Sequence, residues 1–161
     1  MNRKIAITIL FLVGLCYAGI AQSAFDKMNN EKMQKILLRE ADKVEGRLGN
    51  WQVAYKEALV LVVTDENFNR MRIITPIIRL EDLPEDQYKI LLESNFDKAL
   101  DAKYAIFDEM VWSVFTHPLG ELTVEQFKDA LKQVVTLSKT FGTTYTSTDF
   151  VFGTANEDDG G

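Results

Sequence analysis

Residues Ala58 to Thr64 read Ala-Leu-Val-Leu-Val-Val-Thr, and this short run constrains the fold more than any other. Its length and its valines suit a strand rather than a helix. Successive side chains of a strand point to opposite faces, so Leu59, Leu61 and Val63 face one way and Val60 and Val62 the other. Both faces of the sheet built around this strand are therefore apolar, and each needs cover. The next strand repeats the problem. In Arg70 to Ile78, Ile74 and Ile78 oppose Met71, Ile73 and Ile77. Helices can cover one face. A second subunit, a client segment or the chain's own third helix has to cover the other.

The rest of the chain supplies helices and antiparallel partners in a definite order. Asn29 or Asn30 can cap a first helix, with Met33, Ile36, Leu37, Glu40, Ala41 and Val44 at helical spacing and Gly46 at its end. Gly49-Asn50 marks a turn. Trp51, Val53 and Tyr55 alternate with polar neighbours as a half-buried strand, and Lys56-Glu57 forms a hairpin tip before Ala58. Asp65 to Asn69 is a polar loop. Pro76 lacks a backbone donor, so the third strand should end or lie at an edge there.

Leu83-Pro84-Glu85-Asp86 opens a second helix, with Tyr88, Leu91, Leu92 and Phe96 as its apolar face. Lys103 to Phe107 and Val111 to Thr116 are two further strands around a turn at Asp108-Glu109. Thr123 and Gln126 fit a capping box, and Leu122 and Phe127 fit a hydrophobic staple. A third helix follows, lined by Phe127, Ala130, Leu131, Val134, Leu137 and Phe141 and stopped by Gly142. The order α-β-β-β-α-β-β-α predicts a single α+β domain with an antiparallel sheet packed by helices.

The first 23 residues read as a secretory leader. Arg3 and Lys4 precede an apolar run from Ile5 to Leu15, broken only by Thr8 and Gly14, and small residues follow. Cleavage is expected after Ala21 or Ser23, leaving a domain over 24–142 and a tail over 143–161 with an acidic, disordered end. That places the mature protein in a periplasm or outside the cell. Leu15 stands where a lipidation signal needs a small residue, so Cys16 is not expected to carry a lipid. Cys16 is the only cysteine of the 161 residues and leaves with the leader, which excludes disulfide and thiol chemistry. Removing Arg3 and Lys4 from 18 basic residues leaves 16 against 24 acidic ones, a net charge near −8. That balance opposes nucleic acid and anionic membrane surfaces as partners.

Several strings resemble the type III secretion chaperone-like superfamily, which includes the Tir-chaperone family and the bacterial sensory transduction regulator proteins. They are Leu91-Leu92-Glu93-Ser94-Asn95-Phe96, Ala105-Ile106-Phe107-Asp108 and Val111-Trp112-Ser113-Val114. Pro118-Leu119 and Leu122-Thr123 complete them, and Val62 to Asn67 with Met71-Arg72-Ile73 resembles a hairpin of exported relatives. The resemblance runs from about Asn30 to Gly142. It implies a small α+β domain, often a homodimer, that binds other polypeptides without hydrolysing anything. Founding members work in the cytoplasm, whereas the leader here directs export.

No residue pattern calls for a cofactor, a metal or a catalytic group. His117, the only histidine, sits beside Pro118 at a strand exit, where a structural role is expected. Asp65-Glu66-Asn67-Phe68-Asn69 echoes a calcium loop, but Arg70 stands where glycine is required and Pro76 where a bidentate glutamate is required. Asp108-Glu109 reads as a solvated turn. The reading is an exported, non-catalytic module that binds an apolar segment of a partner polypeptide, with Val60, Val62, Ile74 and Trp112 as candidate interface residues. The alternatives are a small envelope hydrolase using converging carboxylates, or an envelope stress or signalling component.

Overall fold

A computed structural model describes residues 27–148; the leader and the acidic end lie outside the described residues. The chain runs α1 (Asn30–Glu40), β1 (Lys43–Arg47), β2 (Asn50–Tyr55), β3 (Ala58–Asp65), β4 (Arg70–Arg79), α2 (Gln87–Asp97), β5 (Lys103–Phe107), β6 (Met110–His117) and α3 (Val124–Lys139). The six strands form one antiparallel sheet in the order β1-β2-β3-β4-β6-β5. The expected α+β class and order of elements are present, with one strand added at the front.

That strand replaces the end of the expected first helix. Asn29 caps α1 by accepting a hydrogen bond from the Lys32 amide at 2.9 Å, and Met33, Ile36 and Leu37 are buried. The helix stops at Glu40 because Ala41 turns extended, and Asp42 donates to the Ala54 carbonyl at 3.0 Å. Val44 belongs to β1, opposite Val53, and Gly46 lies opposite Trp51 rather than closing a helix. Gly46 has φ +109°, and a Cβ there would stand 2.3 Å from the Asn50 carbonyl oxygen. The glycine therefore lets β1 and β2 approach as well as turn.

Two hairpin tips fall where expected. Lys56 and Glu57 (φ 49° and 64°), and Asp108 and Glu109 (φ 50° and 56°), take left-handed conformations that match the twist of the flanking strands. Pro76 sits within a ten-residue strand, yet pairing of β4 with β3 ends at Ile74↔Leu61. Beyond that point β4 pairs only with β6, through a bulge between Pro76 and Ile78. The missing donor thus falls where one side of β4 has no neighbouring strand, and the bulge lets the strand run on.

The core lies on one face of the sheet. Trp51, Val53, Val60, Val62, Met71, Ile73, Val111 and Phe115 are buried there with α1 and α3. Helix α3 packs across β4 and β6. Its capping box is complete: the Thr123 amide donates to Gln126 Oε1 at 2.9 Å, and the Gln126 amide to Thr123 Oγ1 at 3.2 Å. Leu122 and Phe127 are both buried, as a staple requires. Gln133, buried in mid-helix, accepts from the amides of Asp101 and Ala102 and so fixes the entry to β5.

The chain keeps packing after Gly142. Thr140 caps α3, and the Tyr145 ring meets Tyr104 and Phe141 edge to face. Ser147 accepts from the Leu100 amide at 2.7 Å. Residues 143–148, expected as tail, thus close the end of the core.

Replacing Gly46 with Ala should cost about 2 kcal/mol, because it adds a clash to a left-handed backbone position. Thermal unfolding followed by circular dichroism should show the midpoint falling by roughly 5–10 °C.

Candidate functional site: the open face of the sheet

The opposite face of the sheet has no helix on it among the described residues. Pairing places Leu61, Ile74, Val114 and Lys103 in one row across β3, β4, β6 and β5, with Pro76, Trp112 and Ala105 in the next. Val63, Arg72 and Thr116 form the row on the other side. Leu59 and Val63 are 51% and 39% exposed although they lie in a central strand, whereas Val60 and Val62 between them are fully buried. Leu61, Ile74, Val114 and Trp112 are half-buried. The Trp112 indole nitrogen donates to the Phe107 carbonyl at 2.9 Å.

At one end the face hollows into a depression of about 480 Å³ whose lining includes Val63, Asp65, Arg70, Arg72, Ile74 and Thr116. Arg70 donates to the Asn69 carbonyl at 2.9 Å. Arg72 is exposed and has no ion-pair or hydrogen-bond partner among the described residues. An apolar floor with a free guanidinium at its rim can take apolar side chains and a carboxylate together.

A second apolar surface borders the first. Helix α2 lies along the free edge of β5, where the Asn95 side chain pairs with Tyr104 as a neighbouring strand would. Asn95 Oδ1 accepts from the Tyr104 amide at 2.7 Å, and Nδ2 donates to its carbonyl at 3.0 Å. The Lys103 ammonium donates to the Asn95 and Ala99 carbonyls at the end of the helix. Partial burial there pulls its pKa down, against the pull of nearby Asp101. Of the four residues expected as the apolar face of α2, only Leu91 is buried. Leu92 and Phe96 are 70% and 87% exposed, and Tyr88 is also exposed. The helix meets the edge of the sheet rather than its face, so its buried stripe is only one residue wide. Tyr88, Leu91, Leu92, Ala105 and Ile106 line a groove of about 170 Å³ there.

The four candidate residues divide between the two faces. Val60 and Val62 face the helices and belong to the core, while Ile74 and Trp112 face the open side. Leu59, Leu61, Val63, Val114 and Arg72 complete the open surface. Strand alternation had already grouped the first three; only the strand pairing brings Val114 and Arg72 beside them.

The polar groups read from the sequence serve the fold. His117 donates through Nδ1 to the Pro118 carbonyl at 2.8 Å, and its ring stacks on Phe115. Asp65 caps its turn by accepting from the Phe68 amide, and Asn69 Oδ1 accepts from the Gly120 amide at 2.7 Å. Asp101 and Asp129 converge on the Gln133 amide, at 3.3 Å and 2.6 Å. No three His, Cys, Asp or Glu side chains are grouped to hold a metal ion among the described residues. The Tyr104 hydroxyl donates to the Leu137 carbonyl, and burial raises its pKa far above the usual phenol value.

No protein-family model matches the chain, and no curated protein does. Among solved structures, it is similar to a chain of the HopA1-SchA chaperone–effector complex. The TM-score is 0.52 at 12% identity, over 68% of this chain and 92% of that one. The likeness is one of fold, an antiparallel sheet packed by helices.

Neighbouring residues of β3 should respond oppositely to the same change. Val62→Asp buries an unpaired charge and should cost about 4 kcal/mol or more, whereas Leu61→Asp should stay within about 1 kcal/mol. Urea unfolding of the two variants measures the contrast.

Proposed function

We propose that the protein is exported by its leader and that the mature domain binds an apolar segment of a partner polypeptide on the open sheet face, without catalysis. The observation that carries this reading is the exposure of Leu59 and Val63, with Leu61 and Ile74 only half-buried, on central strands that a sheet normally covers. The likeness to a chain from a chaperone–effector complex supports it. Burial of each apolar side chain of the partner contributes about 1.5–3 kcal/mol. Arg72 adds a charge contact that selects segments bearing a carboxylate beside apolar residues.

Crosslinking the tagged chain in its native envelope, followed by mass spectrometry, tests the reading. One polypeptide should be recovered at near-equal amounts with the wild-type chain, be lost with Leu61→Asp and Ile74→Asp, and be retained with Glu125→Lys on α3. Recovery that ignores the open-face variants would refute the site. The tagged chain taken from the envelope should have the intact mass of a protein that begins at Gln22 or Ala24.

The exposed strip on α2 supports a second contact, with another copy of the chain. Leu92, Phe96 and Ile106 present apolar surface on a different side from the open face. Phe96→Glu should convert a dimer to a monomer in sedimentation velocity while leaving the melting midpoint within about 2 °C, since Phe96 packs on little within its own chain.

A further inference from the structure

We propose that the chain's own C-terminal segment, residues 149–161, occupies the open face until a partner displaces it. This rests on the reading of that face as a polypeptide-binding surface and names its resident occupant.

The described chain ends at Thr148, one residue after Ser147 is tied to the Leu100 amide at 2.7 Å. Leu100 and Asp101 lead into β5, and on the helix side of the sheet Asp101 lines a depression with Thr116 and His117, at the end of β6, and with Asp129 and Gln133 of α3. Thr116 pairs with Arg72, which pairs with Val63. The segment therefore leaves the domain at the end of the sheet that holds the Arg72 depression. Strands are spaced by about 4.8 Å, which places Arg72 and Val63 about 10–15 Å across the sheet from Asp101. The 13 residues from Asp149 to Gly161 reach about 40 Å when extended. They can round the β5 edge and cross the face.

Their chemistry matches what they would meet. Phe150 and Phe152 alternate, so an extended segment points both rings to one side, as the floor of Val63, Ile74 and Val114 requires. Glu157, Asp158 and Asp159 follow, and the depression offers Arg70 and Arg72 against the Asp65 carboxylate, Arg72 having no partner among the described residues. On a protein with a net charge of −6, an acidic end is repelled by most of the surface and attracted to this rim. A segment held in this way competes with any partner at an effective concentration set by its short tether, so it protects the apolar face and raises the threshold for binding.

The test uses the full chain carrying Cys16→Ser and Thr154→Cys, with a nitroxide on the new cysteine and methyl groups followed by NMR. The Val63, Ile74 and Val114 methyl signals should lose most of their intensity, independently of dilution with unlabelled protein, and recover in Phe150→Ser/Phe152→Ser. Broadening confined to residues near the exit, such as Leu100, would overturn the proposal. Broadening that disappears on dilution would overturn it too, by assigning the contact to a second copy. Partner recovery in the Leu61→Asp variant reads the binding function separately, and so shows whether that function survives a failure of the tail proposal. If the proposal holds, Phe150→Ser/Phe152→Ser should increase partner recovery.

Discussion

Packing of α3 and α1 against one face of a six-stranded sheet is the constraint on which the rest of the structure depends. Phe127, Ala130, Leu131, Val134 and Leu137 are buried in one core with Val62, Ile73 and Phe115, with α3 seated across β4 and β6. Once Val60 and Val62 are committed to the helices, Leu59, Leu61 and Val63 have no choice of side, because a strand alternates with a period of two. The apolar character of the open face is therefore tied to the core and cannot be moved by a shift of register without losing it. A sheet covered on one side normally places polar residues on the other. This one keeps leucine, isoleucine and valine there, and that departure motivates the binding proposal.

The edges of the sheet are managed with similar economy. Asn95 pairs with the backbone of Tyr104 and blocks the free side of β5, while Lys103 ties the same helix end to the strand. The blocked edge disfavours simple strand addition there. At that edge, contact through side chains replaces strand addition, and on the open face the chemistry at Arg72, Ile74 and Val63 decides what fits. Just before the same end of the strand, Gln133 and Ser147 hold the Leu100–Ala102 turn, so the exit of the chain is placed by the same core that positions the face.

Much of the fold was legible in the residues. The α3 capping box, its staple and its apolar stripe each follow local rules that need no distant partner. The hairpin tips at Lys56-Glu57 and Asp108-Glu109 were marked by polar breaks between alternating runs. The misread elements failed for a common reason: their local pattern was compatible with two structures. Val44 continues a helical stripe and Gly46 suits a helix end, yet pairing with Val53 and Trp51 makes them a strand. Tyr88, Leu92 and Phe96 form a good helical stripe, yet α2 meets only the edge of the sheet and leaves them exposed.

For this protein the sequence by itself determined the elements, their order and the presence of two apolar faces, because capping, turn chemistry and strand alternation are local. It also determined which β3 residues share a side. Which side the helices take was decided only by the tertiary structure, since that depends on the volume α3 fills against β4 and β6 at once. The same holds for Arg72, whose place beside Val63, Ile74 and Thr116 comes from cross-strand register. Residues far apart in the chain become one surface only when the sheet is paired, and no local rule encodes that pairing.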